Sequence, residues 1–175
     1  LYMFALKSSG SDMLGDRPVA AGVQYFPARA PYLTSDGKLT AEEAEQERIS
    51  KWKRKGLLLN DEDVLQAMEP GDAPKRMCYS VKKDGTISGD LADRQQLKLL
   101  EGYVSRILSR LVEDIVSGNV EPNPYTRGST HDACRFCPYG PICHPAAVEG
   151  RRNYKMMDAQ RFWEEIGKEM GDHGG

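Results

Sequence analysis

The run LADRQQLKLLEGYVSRILSRLVEDIVS occupies residues 91–117 and is the most regular stretch of the chain. Its large aliphatic residues recur every three or four positions, which is the spacing of one face of an α-helix. These residues are Leu97, Leu100, Val104, Ile107, Leu108, Leu111 and Ile115. The pattern predicts one long helix from about Leu91 to Ser117 with a buried face, and Gly118 is expected to end it.

Two β-structures are predicted upstream of this helix. Residues 19–32 are apolar on both faces, as in a buried central strand, and Pro27 is expected to mark a bulge or the end of ladder pairing. Residues 76–82 and 86–88 flank an Asp-Gly pair, which is a strong hairpin signal.

Charge patterning predicts a helix over residues 40–55. Thr40 and Glu43 have the spacing of a capping box, Glu47 and Lys51 form an i,i+4 pair, and Gly56 is expected to end the helix. Shorter helices are predicted at residues 1–7, from a cap at residue 60 or 61 to residue 68, and at residues 158–169. The last residues (GDHGG) are expected to be disordered.

Composition indicates a soluble domain of ordinary type. The 175 residues carry 24 Lys and Arg against 26 Asp and Glu, for a net charge of −2. The longest apolar run, LYMFAL at residues 1–6, is far shorter than the ~18 residues that a bilayer span needs. A cytoplasmic protein is therefore expected. Because the chain begins inside this apolar run, we expect it to be a piece of a longer protein.

The cysteines are the main candidates for chemistry. Cys134, Cys137 and Cys143 lie within ten residues, in a segment whose Pro and Gly residues let the backbone wrap around a metal centre. Three interpretations compete: an iron–sulfur cluster, a structural zinc with His131 or His144 as an additional ligand, and three reduced thiols in a structural loop. Cys78 stands alone in the predicted hairpin, where a buried cysteine behaves as a small apolar residue.

The surroundings of the cysteines are locally basic. Residues 127–161 hold six basic and three acidic residues, a local net charge of +3, interleaved with Phe136, Tyr139 and Tyr154. Such mixing suits single-stranded nucleic acid, and it equally suits charge compensation of an anionic metal centre. The sequence contains no phosphate-binding glycine loop, nucleophile elbow or zinc-protease helix. Helix capping explains the acidic residues 61–63 better than metal binding does.

Several segments, taken in order, resemble one family. They are LYMFAL (residues 1–6), AGVQYFPARAPYL (21–33), KGLLLNDEDVLQAM (55–68), SGNVEPNPY (117–125) and CRFCPYGPIC (134–143). Together they resemble the C-terminal part of the B subunits of AddAB-type ATP-dependent helicase/deoxyribonucleases, whose end is a PD-(D/E)XK nuclease domain. The likeness extends from Leu1 to about Tyr154, and residues 21–33 and 56–65 favour the B subunit over related nucleases.

The resemblance implies an α/β fold, the C-terminal portion of a PD-(D/E)XK nuclease: a mixed sheet flanked by helices, then a cysteine-rich loop. It implies a nuclease-like core over residues 1–118 with a helical insertion at about 39–70. The iron–sulfur loop region then covers residues 119–157, and residues 158–175 form a short helix and tail.

The resemblance also implies site residues. Cys134, Cys137 and Cys143 match three ligands of a 4Fe–4S cluster whose fourth ligand lies upstream of this chain. The family's Mg²⁺-binding Asp and its Glu-x-Lys pair also precede Leu1, and Tyr2 matches the Tyr of the Gln-x-x-x-Tyr helix. No catalytic carboxylate is assigned in this chain, so the isolated fragment is expected to be inactive. Because the fourth cluster ligand is missing, the fragment is expected to bind the cluster poorly, with the site empty or occupied by zinc.

Expected partners follow from the same family. They are DNA, contacted by Arg135, Arg151 and Arg152, and the A subunit of the helicase–nuclease, with no membrane involved. The intact protein would act in double-strand break end processing and recombinational repair. The rival hypothesis is a non-enzymatic, zinc-stabilised module that binds DNA or a partner protein.

Overall fold

The computed structural model describes residues 1–15, 18–35, 37–71, 74–127, 131–143, 152–154 and 156–171. The chain divides into two compact units, Leu1–Glu101 and Gly102–Gly175. The division predicted from the sequence, at residues 118 and 157, stays a prediction.

The first unit contains a mixed sheet and a hairpin. Its helices are α1 (Tyr2–Ser9), α2 (Ser11–Leu14), α3 (Ala41–Lys51), α4 (Glu62–Met68) and the start of α5 (Arg94–Val116). Its strands are β1 (Gly22–Tyr25), β2 (Lys55–Leu59), β3 (Tyr79–Val81), β4 (Ile87–Gly89) and β5 (Leu91–Ala92). The sheet order is β1-β2-β5, with β1 antiparallel and β5 parallel to β2, and β3 and β4 form the predicted hairpin. A mixed sheet with flanking helices confirms the expected fold class.

Strand β1 is shorter and more exposed than the sequence predicted. Only Gly22–Tyr25 of residues 19–32 form a strand, and among the described residues it pairs with β2 alone. It therefore lies at an edge of this sheet, and the Tyr25 side chain is largely exposed. Pro27 follows two residues later and lacks the N–H that continued pairing would need. The expectation of a buried central strand was wrong for the part of the sheet that the structure describes.

Strand β2 was not predicted from the sequence. The predicted helix over residues 40–55 ends at Lys51, and residues 55–59 pair with β1 instead. Gly56 is a strand residue opposite Gln24, and not a helix stop. A Cβ built on Gly56 would lie 2.0 Å from the carbonyl oxygen of Val23, so only glycine permits this close approach of the two backbones.

The core of the first unit forms where β2, α4 and the hairpin meet. Leu58, Leu65, Met77 and Tyr79 make one buried cluster. The Tyr79 hydroxyl donates a 3.2 Å hydrogen bond to the Leu65 carbonyl oxygen, so this buried phenol has a polar partner. Burial, together with the negative charge of Glu69, raises the pKa of Tyr79.

Local capping signals were predicted correctly. The Thr40 hydroxyl accepts from the Glu43 N–H at 3.2 Å and the Glu43 carboxylate accepts from the Thr40 N–H at 2.9 Å, which completes the capping box. The Glu47–Lys51 ion pair is present at 2.9 Å. Asp61 caps α4 by accepting from the Val64 N–H. These interactions depend on residues three or four apart, so the sequence alone specifies them.

Helix α5 begins at Arg94, because the two residues before its cap, Leu91 and Ala92, pair with β2. The Asp93 carboxylate caps the helix by accepting from the Gln96 N–H at 2.7 Å. Of the predicted buried face, only Leu97 is fully buried. Leu108, Leu111 and Ile115 are exposed, so the expectation of a continuously buried face was wrong for the second half of the helix.

The second unit holds the rest of α5 and a small sheet. Its other elements are β6 (Tyr125–Arg127), β7 (His131–Asp132), α6 (Gly140–Cys143), β8 (Arg152–Asn153) and α7 (Ala159–Gly171). Helix α7 matches the predicted last helix, and the Asp158 carboxylate caps it by accepting from the Arg161 N–H at 2.8 Å. The tail beyond residue 171 lies outside the described residues. Within the part of the chain that the structure describes, no helix is long and apolar enough to span a membrane.

Candidate functional site

The cysteine segment is anchored to a three-stranded sheet that sequence reasoning missed. Strand β6 pairs antiparallel with β7 and parallel with β8. The segment leaves directly from β7, where the Ala133 N–H donates to the Tyr125 carbonyl at 3.2 Å and the Asp132 carboxylate accepts from the Cys134 N–H at 2.8 Å. Strands of two or three residues are too short for a readable periodicity, so the hydrophobic pattern alone does not predict them.

The three cysteines lie on consecutive turns of the backbone. The Cys137 N–H donates to the Cys134 carbonyl at 3.1 Å, and the Gly140 N–H donates to the Cys137 carbonyl at 3.3 Å. The Cys143 N–H donates to the Tyr139 carbonyl at 2.8 Å, which closes α6. Cys134 is half-buried, whereas Cys137 and Cys143 are exposed.

The donor types in this segment suit a thiolate-bound metal, but the described residues of the segment do not by themselves form a complete site. All four cysteines are described and none of them is in a disulfide. Among the described residues, no three Cys, His, Asp or Glu side chains are arranged as a metal-binding group. Of the two histidines considered as zinc ligands, His144 and the side chain of His131 lie outside the described residues.

Cys78 has the environment of a small apolar residue. It lies just before β3, packs against the buried cluster of the first unit, and its thiol is 3.9 Å from the Asp90 carbonyl oxygen. Burial raises the pKa of the Cys78 thiol, and the negative charge of Asp90 raises it further. A metal-binding cysteine needs the opposite, a stabilised thiolate.

Basic and aromatic side chains lie within the cysteine segment and on the neighbouring strand β8. The Arg135 guanidinium carbon is 5.1 Å from the centroid of the Phe136 ring, and both Phe136 and Tyr139 are exposed. Arg152 lies on β8 and its Nε donates to the Asn123 carbonyl at 3.0 Å, which holds the side chain against the segment before β6. The third predicted DNA contact, Arg151, lies outside the described residues.

Two further residues line the strand ends of the small sheet. The Tyr154 N–H donates to the Thr126 carbonyl at 2.8 Å, and its ring meets Tyr125 edge-on at 5.9 Å. Arg127 donates to the Met156 sulfur at 3.0 Å. Sequence reasoning counted Tyr154 and Arg127 in the basic and aromatic region, but only the sheet explains their positions.

Tyr2, the residue expected to belong to the nuclease motif, is the first residue of α1 and its side chain is largely exposed. The acidic residues 61–63 lie at the start of α4, where Asp61 caps the helix and pairs with Arg94. No group of three Asp, Glu, His or Cys side chains suited to a metal ion is present among the described residues, so no Mg²⁺ site is assigned to them.

Residues 1–144 match the sequence profile of the PD-(D/E)XK nuclease superfamily, a stretch that includes both the mixed sheet and all three clustered cysteines. The chain belongs to that superfamily, as its segments led us to expect.

Its curated relatives make the resemblance more specific. It is 31% identical over 160 residues to the B subunit of the ATP-dependent helicase/deoxyribonuclease of Acetivibrio thermocellus, covering 89% of this chain and 14% of that protein. The identity to the protein of the same name from Moorella thermoacetica is 34% over 147 residues, covering 82% of this chain and 13% of that protein. The identity to the protein of the same name from Clostridium kluyveri is 29% over 175 residues, covering 95% of this chain and 15% of that protein. The chain thus spans about one seventh of the length of these relatives.

Proposed function

We propose that this chain is the C-terminal nuclease portion of the B subunit of an ATP-dependent DNA helicase/deoxyribonuclease. The intact protein would process double-strand break ends in recombinational repair in the cytoplasm. One observation carries the proposal: the superfamily match over residues 1–144 coincides with about 30% identity, over most of the chain, to proteins that carry this name. The designation of these relatives as B subunits also supports an A subunit as partner, with DNA as substrate.

In the intact protein, carboxylates outside this chain would hold Mg²⁺, which activates water and stabilises the leaving oxygen in phosphodiester hydrolysis. This chain would contribute the β1-β2-β5 sheet, the helices packed on it and the cysteine segment. Tyr2, exposed on α1, would supply the Tyr of the nuclease motif.

The cysteine segment would supply Cys134, Cys137 and Cys143 as three thiolate ligands of a 4Fe–4S cluster, with the fourth ligand outside this chain. Three thiols on consecutive backbone turns, two of them exposed, support this assignment. A ligand from far along the polypeptide would close a long loop, and closing such a loop restricts the unfolded chain. The role of the cluster would therefore be structural.

Arg135 and Arg152 would contact DNA phosphates near the cysteine segment, together with Arg151 from the sequence. The Arg135 guanidinium lies against the exposed ring of Phe136, and Tyr139 is also exposed in the same segment, a combination of cation and aromatic rings that suits phosphate neutralisation and base stacking. A zinc-stabilised binding module would use the same surface without hydrolysis. A nuclease assay and a metal analysis distinguish this module from the nuclease subunit.

The first experiment compares the longer polypeptide encoded by the gene, co-expressed with its partner, with this chain alone. With linear duplex DNA and Mg²⁺, the longer protein is expected to degrade DNA and the isolated chain is not. Robust degradation by the isolated chain would contradict the assignment of the catalytic carboxylates to sequence outside it. No degradation by the complete complex would contradict the nuclease proposal.

A second experiment tests the metal. The longer protein, purified anaerobically, is analysed for iron, sulfide and visible charge-transfer absorption as wild type, Cys137→Ser and Cys78→Ser. We expect iron to be lost in Cys137→Ser and retained in Cys78→Ser, the matched control. Stoichiometric zinc without iron in the wild type would favour the zinc module.

A third experiment measures DNA binding against salt concentration. Arg152→Ala in the longer protein is expected to weaken binding and to reduce the slope of log K against log salt by about 1, because one phosphate contact is lost. Arg48→Ala is the control, since Arg48 lies on α3 and pairs with Glu45 at 3.2 Å. Equal effects of the two substitutions on DNA affinity and its salt dependence would contradict the placement of β8 in the DNA interface.

A further inference from the structure

The second half of α5 presents an apolar stripe to solvent. Its aliphatic residues recur at helical spacings, and their exposures are 40% for Leu108, 51% for Leu111, 58% for Val112, 76% for Ile115 and 82% for Val116. Successive helix residues are rotated by about 100°, so these five side chains share one face. The charged residues of the same stretch lie on other sides of the helix: Arg106, Arg110, Glu113 and Asp114.

Another side of α5 already has a partner within the second unit. A Cβ built on Gly102 would lie 2.9 Å from the terminal methyl of Met170 on α7, so the two helices approach closely there. Arg106 donates to the Glu169 carbonyl at 2.7 Å and also pairs with its carboxylate. The apolar stripe is therefore a second face, which the described residues leave uncovered.

The first half of α5 buries an aliphatic residue on this same side of the helix. Leu97 lies on the same side of α5, about three turns before Leu108, and is only 5% exposed. An amphipathic helix normally buries such a stripe, and a run of exposed aliphatic residues on one face marks an interaction surface.

We propose that this stripe, Leu108 to Val116, packs against an aliphatic, uncharged surface of the part of the polypeptide that lies outside this chain. The inference rests on the proposed function, in which the chain is one portion of a longer protein. The curated relatives share only 13–15% of their length with this chain, so most of such a polypeptide is available to supply that surface. Because the stripe carries no charge, the facing surface is expected to be aliphatic and uncharged.

Its size favours an intramolecular occupant over a second copy. Nine residues of helix are roughly 13 Å long at 1.5 Å per residue. A stable dimer generally buries about 800 Å² on each partner, more than one short stripe offers. A segment of the same polypeptide needs less contact area, because the covalent connection gives it a high effective concentration. Nucleic acid is disfavoured because the stripe has no cation to contact phosphate.

Site-specific photocrosslinking in the longer polypeptide tests the proposal. A photoreactive phenylalanine at Val112 is expected to crosslink, in peptide mapping, to sequence of the same polypeptide outside this chain. The control is the same amino acid at Glu113, which points to another side of the helix and is expected to give no such product. A crosslink from position 112 to a second copy or to the partner protein, or none at all, would overturn the proposal.

A substitution gives an independent readout. Val112→Asp is expected to lower the melting temperature of the longer polypeptide by several degrees more than that of the isolated chain, in which the Val112 side chain is 58% exposed. Equal melting temperatures of wild type and Val112→Asp in the longer polypeptide would contradict the inference. Nuclease activity is measured on the same wild-type protein. An active protein that gives no crosslink would contradict this inference alone, whereas an inactive complex would contradict the proposed function.

Discussion

The Arg94 guanidinium donates a 2.8 Å hydrogen bond to the Asp61 carboxylate and so connects the start of α5 to the start of α4. The other carboxylate oxygen of Asp61 accepts from the Val64 N–H, 3.4 Å away, and caps α4. The hydrogen bond from Arg94, followed by that from Val64, lowers the pKa of Asp61. One half-buried side chain thereby combines a local cap with a contact 33 residues away.

Replacing Asp61 tests this arrangement through its pH dependence. Because the pKa of Asp61 is lower in the folded state, its stabilising contribution is present above the unfolded pKa of about 3.9 and is lost as the pH falls through the folded value. Asp61→Asn retains a capping oxygen and removes the charge. We expect it to flatten the fall in melting temperature below about pH 4. Asp63→Asn, in the first turn of the same helix, is the control, and an identical pH profile for both variants would contradict the role of the Arg94 pair.

Truncating two leucines of α5 distinguishes its buried and exposed halves. Leu97→Ala is expected to lower the free energy of unfolding by about 2–5 kcal/mol, because a buried leucine leaves a cavity. Leu111→Ala, at 51% exposure in the isolated chain, is expected to change it by less than about 1 kcal/mol. Urea denaturation of the isolated chain measures both, and equal losses would mean that the second half of α5 is buried after all.

Adding one methyl group at Gly56 tests the contact between β1 and β2. The new Cβ of Gly56→Ala would lie 2.0 Å from the Val23 carbonyl oxygen, so the strands must separate. We expect a loss of about 3 kcal/mol or more in the free energy of unfolding, typical of substitutions that break backbone packing. Gly37→Ala is the control, since nothing lies within 4 Å of its added Cβ. A tolerated Gly56→Ala would show that this pairing does not hold in solution.

Thiol reactivity distinguishes the isolated cysteine from the exposed pair. Cys78 is half-buried and burial raises the pKa of its thiol, so less of it is thiolate near neutral pH. In the reduced, metal-free isolated chain, a maleimide reagent is expected to modify Cys137 and Cys143 well before Cys78. Peptide mapping over time measures the order. Cys78 reacting first would contradict its packing against the core.

Much of the local structure could be predicted from the sequence because it depends on near neighbours. The Thr40–Glu43 capping box, the Asp61 cap and the hairpin turn each involve residues at most four apart. Cys134, Cys137 and Cys143 were recognisable by spacing, and the segments around them carried the resemblance that the superfamily match confirms.

The position of α5 and the apolar residues along it could be read from the amino-acid sequence, since helical periodicity is a property of consecutive residues. That residues 55–59 form a strand could not, because this outcome depends on Val23 and Gln24 approaching Gly56 from more than 30 positions away. The burial of Leu97 and the exposure of Ile115 are likewise products of long-range packing. Both side chains are aliphatic and lie on one helix, and their burial depends on what the rest of the chain packs against them.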